Sequence, residues 1–406
     1  MTDPNWHPAR VRHNFRIDVF GGISSGIFIS VLVTFMPVVV RRMGGTTTDV
    51  AIVVGGAFIG HLLAPFFTYL YANIPPVRVV AGTVTVGRLL FIVGVLVATT
   101  PLMLALTTVA MWVVMIGNVG AYVALMQGIY PDSERAHVMG QVRVGASIAG
   151  IFAATMAGAF IDVIPAAYVF ATATLLSLPG ALAFFRVKYD RVGGYSTRRP
   201  AADVARDVWR DRRYRNLLLS FLIFGWGNLM NFAVFPIMLV DHFNATNSFV
   251  GIMAAVQSAT MIVAYVVIGR LIDRGSSLRQ TFLGSLLVLL VPIGYILAPA
   301  TWALLPVAIV SGIAQASGEL TFHTNVVQLA PRERIADYAA AQSLLLGVRG
   351  SLAPFAASAL LGVFEPRVVL LVGVAFMAVG VAIMAGVVRE PRAAVREVVI
   401  ATEAAG

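Results

Sequence analysis

Long apolar stretches recur along the entire chain, and they constrain its fold more than any other feature. A helix needs about 20 apolar residues to cross the hydrocarbon core of a bilayer. Runs of this kind occur at residues 17–40, 49–72, 77–99, 102–130, 137–161, 165–186, 216–240, 248–272, 279–298, 301–328, 335–363 and 367–388. Charged residues make up only 12% of the chain, whereas they form about a quarter of a soluble domain. We therefore predict an all-α polytopic membrane protein with twelve transmembrane helices.

Basic residues fall on one side of these predicted helices. If the N-terminus is cytoplasmic, the outward-facing loops hold only Arg41, Arg42 and Arg367 of the 29 lysines and arginines. Short cytoplasmic loops are enriched in Lys and Arg, so this distribution places both termini in the cytoplasm. The same reasoning attributes the net charge of +10 to membrane orientation, and we expect no nucleic-acid partner.

Two similar segments indicate an internal repeat. The segment YPDSERAHVMGQ (130–141) precedes the fifth run and APRERIADYAAAQ (330–342) precedes the eleventh, and each has a proline followed by a Glu-Arg pair. A parallel repeat is typical of two helix bundles related by an axis along the membrane normal. The predicted division is a tail at 1–16, a six-helix bundle at 17–186, a linker at 187–215, a second six-helix bundle at 216–388 and a tail at 389–406.

The predicted linker contains a short amphipathic segment. Val204, Val208 and Trp209 are expected on one face of a helix there, opposite charged residues. Such a helix is either solvated or lies at the membrane interface, with Trp209 at the level of the lipid headgroups.

Missing residues exclude several classes of chemistry. The chain has no cysteine, which rules out disulfides and thiolate metal sites. Its one lysine, Lys188, lies in FFRVKYDR and not in the G-K-[ST] segment of a phosphate-binding loop. The sequence shows no nucleophile–base constellation or metal-ligand spacing. We therefore predict a protein that is not an enzyme and that holds no metal and no cofactor.

One polar loop carries a family resemblance. The segment GRLIDRGSSLRQ, between the eighth and ninth runs, matches the pattern G-x-x-x-D-R…R. The matching residues are Gly269, Asp273, Arg274 and Arg279. On this motif and on its twelve-helix topology, the chain resembles the major facilitator superfamily, in a poorly characterised bacterial branch. The resemblance implies the fold of that superfamily and a multi-pass location in the bacterial inner (cytoplasmic) membrane.

The same resemblance implies a conformational latch. In the superfamily, this loop helps to hold the two bundles together on the cytoplasmic side when the transporter faces outward. The first-half counterpart, TYLYANIPPVR (68–78), has Ala72 in the place of Asp273, so that a latch here would depend on one copy. The alternative is that Asp273 and Arg274 are solvated turn residues.

Polar residues inside the predicted helices are the candidates for a solute site. The resemblance places the first, fourth, seventh and tenth helices around a central cavity. In the tenth helix, polar residues recur every four positions and therefore follow one stripe. The candidate cavity residues are Ser24, Ser25, Asn118, Tyr122, Gln127, Trp226, Asn228, Asn231, Gln315, Glu319 and His323.

Charged residues inside the predicted helices are the candidates for coupling. Arg88, Arg143 and Arg349 lie within apolar runs, where a charge costs at least about 2.5–3.5 kcal/mol unless it faces water or a partner. Glu319 and Arg349 differ by about 6 Å in predicted depth at about 1.5 Å per residue, which allows an ion pair. In one interpretation Glu319 only neutralises Arg349. In the other, burial lets Glu319 exchange a proton that it shares with His323.

Together these features favour a secondary active transporter that moves a small solute across the cytoplasmic membrane by alternating access. Proton coupling through Glu319 is a subordinate hypothesis. A lipid or lysolipid flippase is one alternative, and it requires a cavity open sideways to lipid. A non-transporting receptor or sensor on the same fold is another. We expect a monomer whose partners are the solute, protons and the lipid bilayer.

Overall fold

The computed structural model of the chain describes residues 7–71, 73–116, 118–189, 201–331 and 334–389, and its regular structure is helical throughout. In chain order the α-helices are α1 (Pro8–Arg42), α2 (Thr47–Leu70), α3 (Pro76–Val97), α4 (Pro101–Met115), α5 (Asn118–Ile129), α6 (Asp132–Ile161), α7 (Ala166–Ala183), α8 (Ala201–Arg210), α9 (Arg212–Ile237), α10 (Asn247–Asp273), α11 (Ser277–Leu297), α12 (Leu304–Leu329), α13 (Ile335–Leu361) and α14 (Pro366–Arg389). A π-helical turn, Met238–His242, extends α9.

Most of these helices are suited to a bilayer. Within the described residues, 10 helices are long and apolar enough to cross a membrane, or 11 if the bent pair of α4 and α5 forms one span. The described apolar part of α2, Thr47–Leu63, is shorter. The chain is therefore an all-α, multi-pass membrane protein. The count of twelve spans and the cytoplasmic position of the termini stay predictions.

One predicted run is divided in the structure. The sequence predicted a continuous helix at 102–130, but α4 and α5 meet there at a bend of 40°. Helix α4 starts with proline after Thr100, whose hydroxyl accepts a hydrogen bond of 3.2 Å from the Met103 N–H and so caps the helix. Beyond the bend, Tyr122 within α5 and Tyr130 directly after it reach α1.

The helices pack around a shared apolar interior. Helix α1 packs on α6 and α7, and α9 packs on α13 and α14. The two most extensive contacts between the halves of the chain are α2 against α13 and α6 against α10. We call the end of the molecule where α1 stops and α2 begins the distal face, and the opposite end, where α1 begins, the terminal face. The largest apolar cluster lies toward the distal face and includes Phe35 and Met36 of α1 and Val234 of α9.

The α6–α10 pair crosses at two glycines. A Cβ atom added to Gly158 would lie 2.5 Å from the backbone oxygen of Asn247, and one added to Gly251 would lie 2.7 Å from that of Ala154. Small residues let helix backbones approach closely in membranes. The glycines therefore set the distance between the two halves at this contact.

Replacing Gly251 by valine is expected to destabilise the protein by about 1–3 kcal/mol, the usual cost of overpacking. The new side chain would meet backbone, which cannot rotate away as a side chain can. The measurement is the melting temperature of the purified protein in detergent. Gly269→Val on the same helix is the matched control, because nothing lies within 4 Å of a Cβ added there. An equal loss in both variants would contradict the assigned role of Gly251.

The linker helix α8 docks against the second half of the chain. Val208 is only 2% exposed and packs with Tyr214 and Tyr338, whereas Trp209 is 53% exposed. Asp207 accepts a hydrogen bond of 2.5 Å from Arg334, next to the start of α13. Val208 and Trp209 therefore do not share a face, in contrast to the expectation from the sequence, because Val208 is used for tertiary packing.

Candidate functional site

The carboxylate of Glu319 is held by polar side chains from two helices. The hydroxyl of Tyr265 on α10 donates to Oε2 of Glu319. Gln315, one turn earlier on α12, donates from Nε2 to Oε1 of Glu319 over 3.3 Å. Gln257 of α10 donates in turn to Oε1 of Gln315 over 2.7 Å. We call these four residues the Glu319 cluster. Glu319 is half-buried and Gln315 is exposed, so part of the cluster lies at the protein surface.

The predicted ion pair between Glu319 and Arg349 is not formed in this structure. The Arg349 guanidinium instead donates to the backbone oxygen of Phe221 on α9. A Cβ atom added to Gly225 would lie 2.2 Å from that guanidinium, so glycine leaves the space that it occupies. Arg349 is thus directed into the contact between α9 and α13, and depth along the helix alone did not reveal this direction.

A different arginine acts electrostatically on the Glu319 cluster. Arg143 is exposed on α6, and it lies within electrostatic range of both Tyr122 on α5 and Tyr265 on α10. These two tyrosines belong to different halves of the chain. We use the term central cavity for the proposed space between α5, α6, α10 and α12 around these side chains. It would combine a carboxylate from one half with a guanidinium from the other.

Some predicted cavity residues lie elsewhere. Ser24 is 3% exposed and packs against Gly180 of α7. Ser25 accepts a hydrogen bond of 2.7 Å from Arg88, which also donates to the backbone oxygen of Ser177 over 2.6 Å. Arg88 is 1% exposed. These residues lie inside the first half of the chain, where α1, α3 and α7 meet, and not beside Glu319.

The remaining candidates are also divided. Asn231 is fully buried, and its amide contacts Met377 and Gly373 on α14, on the side of α9 that packs against that helix. Trp226 packs beside the apolar core, while Asn228 is half-buried. The Gln127 side chain is exposed on α5. The side chains of Asn118 and His323 lie outside the described residues.

Sequence reasoning missed a second carboxylate. Asp18 of α1 is 1% exposed, and it accepts hydrogen bonds from the hydroxyls of Tyr122 (3.1 Å) and Tyr130 (3.2 Å). It is the second residue of the predicted run 17–40. Helix α1 starts at Pro8, so that Asp18 lies inside the helix. Tyr265 was missed because it lies on the eighth predicted helix, whereas the candidate cavity residues came from the first, fourth, seventh and tenth.

The halves of the chain are joined by charged groups at the distal face. Arg41, at the end of α1, pairs with Asp241 after α9 through a contact of 2.5 Å and a second hydrogen bond of 2.9 Å. Arg42 donates to the backbone oxygen of Ala245. Near the start of α2, Thr47 and Thr48 form hydrogen bonds of 2.8 and 3.0 Å with the Ser358 hydroxyl on α13.

A carboxylate from one half also binds the start of a helix from the other. Asp162, which follows α6, accepts hydrogen bonds from the backbone N–H groups of Asn247 (3.0 Å) and Ser248 (2.9 Å), and from both of their side chains. These residues begin α10, where unpaired N–H groups favour an anion. Burial alone would raise the pKa of Asp162, but these hydrogen bonds outweigh it and lower the pKa below its ordinary value.

The lowered pKa of Asp162 predicts a distal face that stays closed between about pH 5 and about pH 8. A carboxyl whose pKa is depressed contributes its full stabilising free energy at pH values above its ordinary pKa of about 3.9. This stabilisation is lost only as the pH falls through the lowered pKa. The measurement is the distance between spin labels on Val97→Cys and Leu297→Cys, two exposed positions at the distal ends of α3 and α11. The chain has no native cysteine to add background. Opening of this pair between pH 8 and pH 5 would contradict the prediction.

In the part of the chain that the structure describes, the terminal face shows fewer links between the halves. Among the described residues, the remaining hydrogen bond across the halves joins His61 Nδ1 to the Ser343 hydroxyl over 3.0 Å, deeper in the α2–α13 contact. Arg274 and Arg279 of the predicted latch are exposed, and neither has an ion pair with a described side chain. Gly269 faces open space, and the Asp273 side chain lies outside the described residues. The latch therefore stays a prediction.

Comparison with protein families decides the class of this chain. Residues 19–240 and 217–403 each match the model of the Major Facilitator Superfamily, and together they cover most of the sequence. The chain belongs to the major facilitator superfamily. Its transporter fold accounts for the apolar helices and for the two matched segments, one in each half. This major facilitator protein has no match among the curated proteins that were compared.

Solved structures of transporters share the fold of this superfamily member. A POT family transporter in complex with 5-aminolevulinic acid gives a TM-score of 0.72 at 13% identity, over 94% of this chain and 96% of that one. A variant of the nucleoside transporter NupG gives a TM-score of 0.71 at 14% identity, over 92% of this chain and 99% of that one. A bacterial homologue of the human lysosomal transporter Spinster, inward-facing and unoccupied, gives a TM-score of 0.64 at 13% identity. The match covers 96% of this chain and 98% of that one.

Proposed function

We propose that this transporter moves a small polar solute through the central cavity by alternating access, and that Glu319 binds either a cationic group of the solute or a proton. One observation carries the proposal. Glu319 lies half-buried in a membrane-spanning helix and is bonded to a phenol and an amide, but to no cation among the described residues. An acid in a membrane is costly unless it serves a polar path or a partner.

The charges of the cavity favour a solute with groups of both signs. Arg143 of the first half acts electrostatically on Tyr265, the phenol that donates to Glu319 of the second half, so that a zwitterion bound there would contact both charges. Gln315 and Gln257 add amide donors and acceptors for a polar solute. Transporters of this fold have been solved with 5-aminolevulinic acid and with a peptide conjugate. Amino acids, short peptides and 5-aminolevulinic acid are therefore the first compounds to test.

Alternating access follows from how the halves are joined. In the proposed topology, twelve helices form two six-helix bundles at 17–186 and 216–388, both termini are cytoplasmic, and the distal face is the outer face of a bacterial inner membrane. The hydrogen bonds of Arg41, Arg42 and Asp162 then close the outer side. Rocking of the bundles about the central cavity would break them and close the inner side. We expect a monomer, because each chain contains both bundles.

The test is a ligand screen on the purified full-length protein. Thermal stability is measured with amino acids, short peptides, 5-aminolevulinic acid and nucleosides, at about pH 5.5 and about pH 7.5, which bracket the titration of carboxyl and imidazole groups. We expect at least one compound to stabilise the protein and to be taken up by proteoliposomes that contain it. Movement of labelled lysolipid without uptake of any such compound would favour a flippase and contradict the proposal.

A further inference from the structure

We propose that Asp18, together with Tyr122 and Tyr130, forms a second proton-binding site of this transporter, inside its first half and separate from Glu319. We call these three residues the Asp18 cluster. The inference goes beyond the proposed function, because it concerns a different carboxylate on a different helix and needs no knowledge of the solute.

The geometry of the carboxylate supports a proton site. Each oxygen of Asp18 accepts one phenolic hydrogen bond, Oδ1 from Tyr122 and Oδ2 from Tyr130. Asp18 is 1% exposed and Tyr130 is 0% exposed, so that bulk water does not solvate the charge. Two neutral donors orient the carboxylate but do not neutralise it. A proton on either oxygen would remove the buried charge and keep both phenols within hydrogen-bond distance.

A cavity gives a proton access to the cluster. Asp18 and Tyr122 line a space of about 210 Å³, together with Gly21, Gly22 and Ser25 of α1. A water molecule takes up about 30 Å³ of liquid, so the space holds several. The Asp18 and Tyr122 oxygens and the Ser25 hydroxyl are polar partners for such water. Water molecules in this space would form a route for a proton, which a purely structural carboxylate does not need.

No ion pair of Asp18 is present among the described residues. Arg88 of α3 is bonded to Ser25 and Ser177. Arg135 of α6 caps the end of α5 through the backbone oxygens of Met126, Gln127 and Tyr130. Arg143, an exposed residue of α6, acts electrostatically on Tyr122 and forms no ion pair with Asp18. On the cluster's own helix and after α7, the residues His13, Arg16 and Arg186 line a separate groove.

The surroundings also fix the cluster in place. The Arg135 cap holds the end of α5, and thereby Tyr130. One turn before Asp18, the buried Asn14 exchanges two hydrogen bonds with the backbone of Lys188, of 2.9 and 3.0 Å. The site is therefore built from α1, α5 and the segment after α7. Tyr122 connects it to the central cavity, because the same phenol bonds Asp18 and lies within electrostatic range of Arg143.

The test is infrared difference spectroscopy of the full-length protein, recorded while the pH is lowered from about 8 to about 5, a range in which exposed aspartates stay ionised. Carbon-13 labelling of aspartate separates its carbonyl band from that of glutamate. We expect a band of a protonated aspartate that is present in the wild type and in Glu319→Gln, and is lost in Asp18→Asn. The same band in Asp18→Asn, or its absence from the wild type, would overturn the proposal.

A milder variant tests the same proposal if Asp18→Asn does not fold. Tyr130→Phe removes one donor to the charged carboxylate and keeps the ring, so the aspartate band should appear at higher pH than in the wild type. Substitution of a merely structural tyrosine would change stability without moving the pH at which the aspartate band appears. An unchanged midpoint of this titration in Tyr130→Phe would overturn the assignment.

Repeating the titration in Na⁺ and in choline at equal ionic strength identifies the ion. Displacement of the proton by Na⁺ would replace the proton site by a sodium site.

These readouts are independent of solute transport. If the Asp18 band titrates as expected and no solute is transported, the proton site stands and the proposed transport function fails. If a solute is transported and the band is absent, the function stands and the Asp18 proposal fails.

Discussion

Arg41→Glu is expected to open the distal face and shift the transporter toward the opposite conformation. The substitution replaces a doubly hydrogen-bonded ion pair with Asp241 by two like charges in the same place. Side-chain exposure of the pair is 26% and 38%, so solvent weakens the attraction, but juxtaposed like charges at an interface still cost several kcal/mol. A change of about 1.4 kcal/mol already alters the ratio of two conformations about tenfold.

The measurement uses one pair of spin labels on each face. The pair on Val97→Cys and Leu297→Cys reports the distal face, and a pair on Ile74→Cys and Gly275→Cys, in exposed loops, reports the terminal face. In Arg41→Glu the distal distance should increase and the terminal distance should decrease. A change confined to one face would mean local fraying and not rocking of the bundles.

Two further variants test the charge pairing itself. Arg41→Glu combined with Asp241→Arg restores opposite charges and should return both distances toward the wild type. Arg186→Glu, at an exposed position after α7, changes the net charge by the same amount away from the distal face. If Arg186→Glu opened the distal pair equally, the effect would come from net charge and the ion pair would have no specific role.

Glu319→Gln is expected to weaken the binding of the transported solute about 10-fold to 150-fold. Glutamine preserves the size of the side chain and can still accept from Tyr265, but it carries no charge and exchanges no proton. A hydrogen bond to a charged group is worth about 1.5–3 kcal/mol, which converts to that range of affinity. The measurement is solute binding and proteoliposome uptake at about pH 5.5 and about pH 7.5. The pH dependence seen in the wild type should be absent from the variant.

The matched control for this variant is Tyr265→Phe. It removes the phenolic donor to Glu319 and leaves the carboxylate, so uptake should persist with an altered pH dependence. A Glu319→Gln protein that melts much earlier and keeps full solute affinity would contradict the functional role. Glu319 would then be a structural residue of the α10–α12 contact.

Much of the fold was predictable from the sequence because its signals are local. Helix length follows from apolar runs. The orientation inferred from arginines in short loops stays a prediction. The predicted run at 301–328 agrees with α12 (Leu304–Leu329) within a few residues. The bend between α4 and α5 was not predicted, since the apolar pattern continues through it.

The candidate site was predictable only in part. Gln315 and Glu319 were found because residues four apart on one helix face the same side. Their partners Tyr265 and Gln257 lie on another helix, and a single sequence carries no record of which helix faces which. The same limit explains why the sequence did not reveal that Arg349 bonds to the backbone of Phe221 on α9.

The sequence by itself determined that this chain is helical, lies in a membrane and belongs with transporters. The length of an apolar run and the spacing of a motif can be read from short contiguous segments. Only the tertiary structure decided which polar and charged groups meet. It brings Asp18 to two tyrosines more than 100 positions away, and it brings Arg41 to Asp241 across 200 positions. Side-chain direction depends on how helices pack, and packing is a property of the assembled bundle.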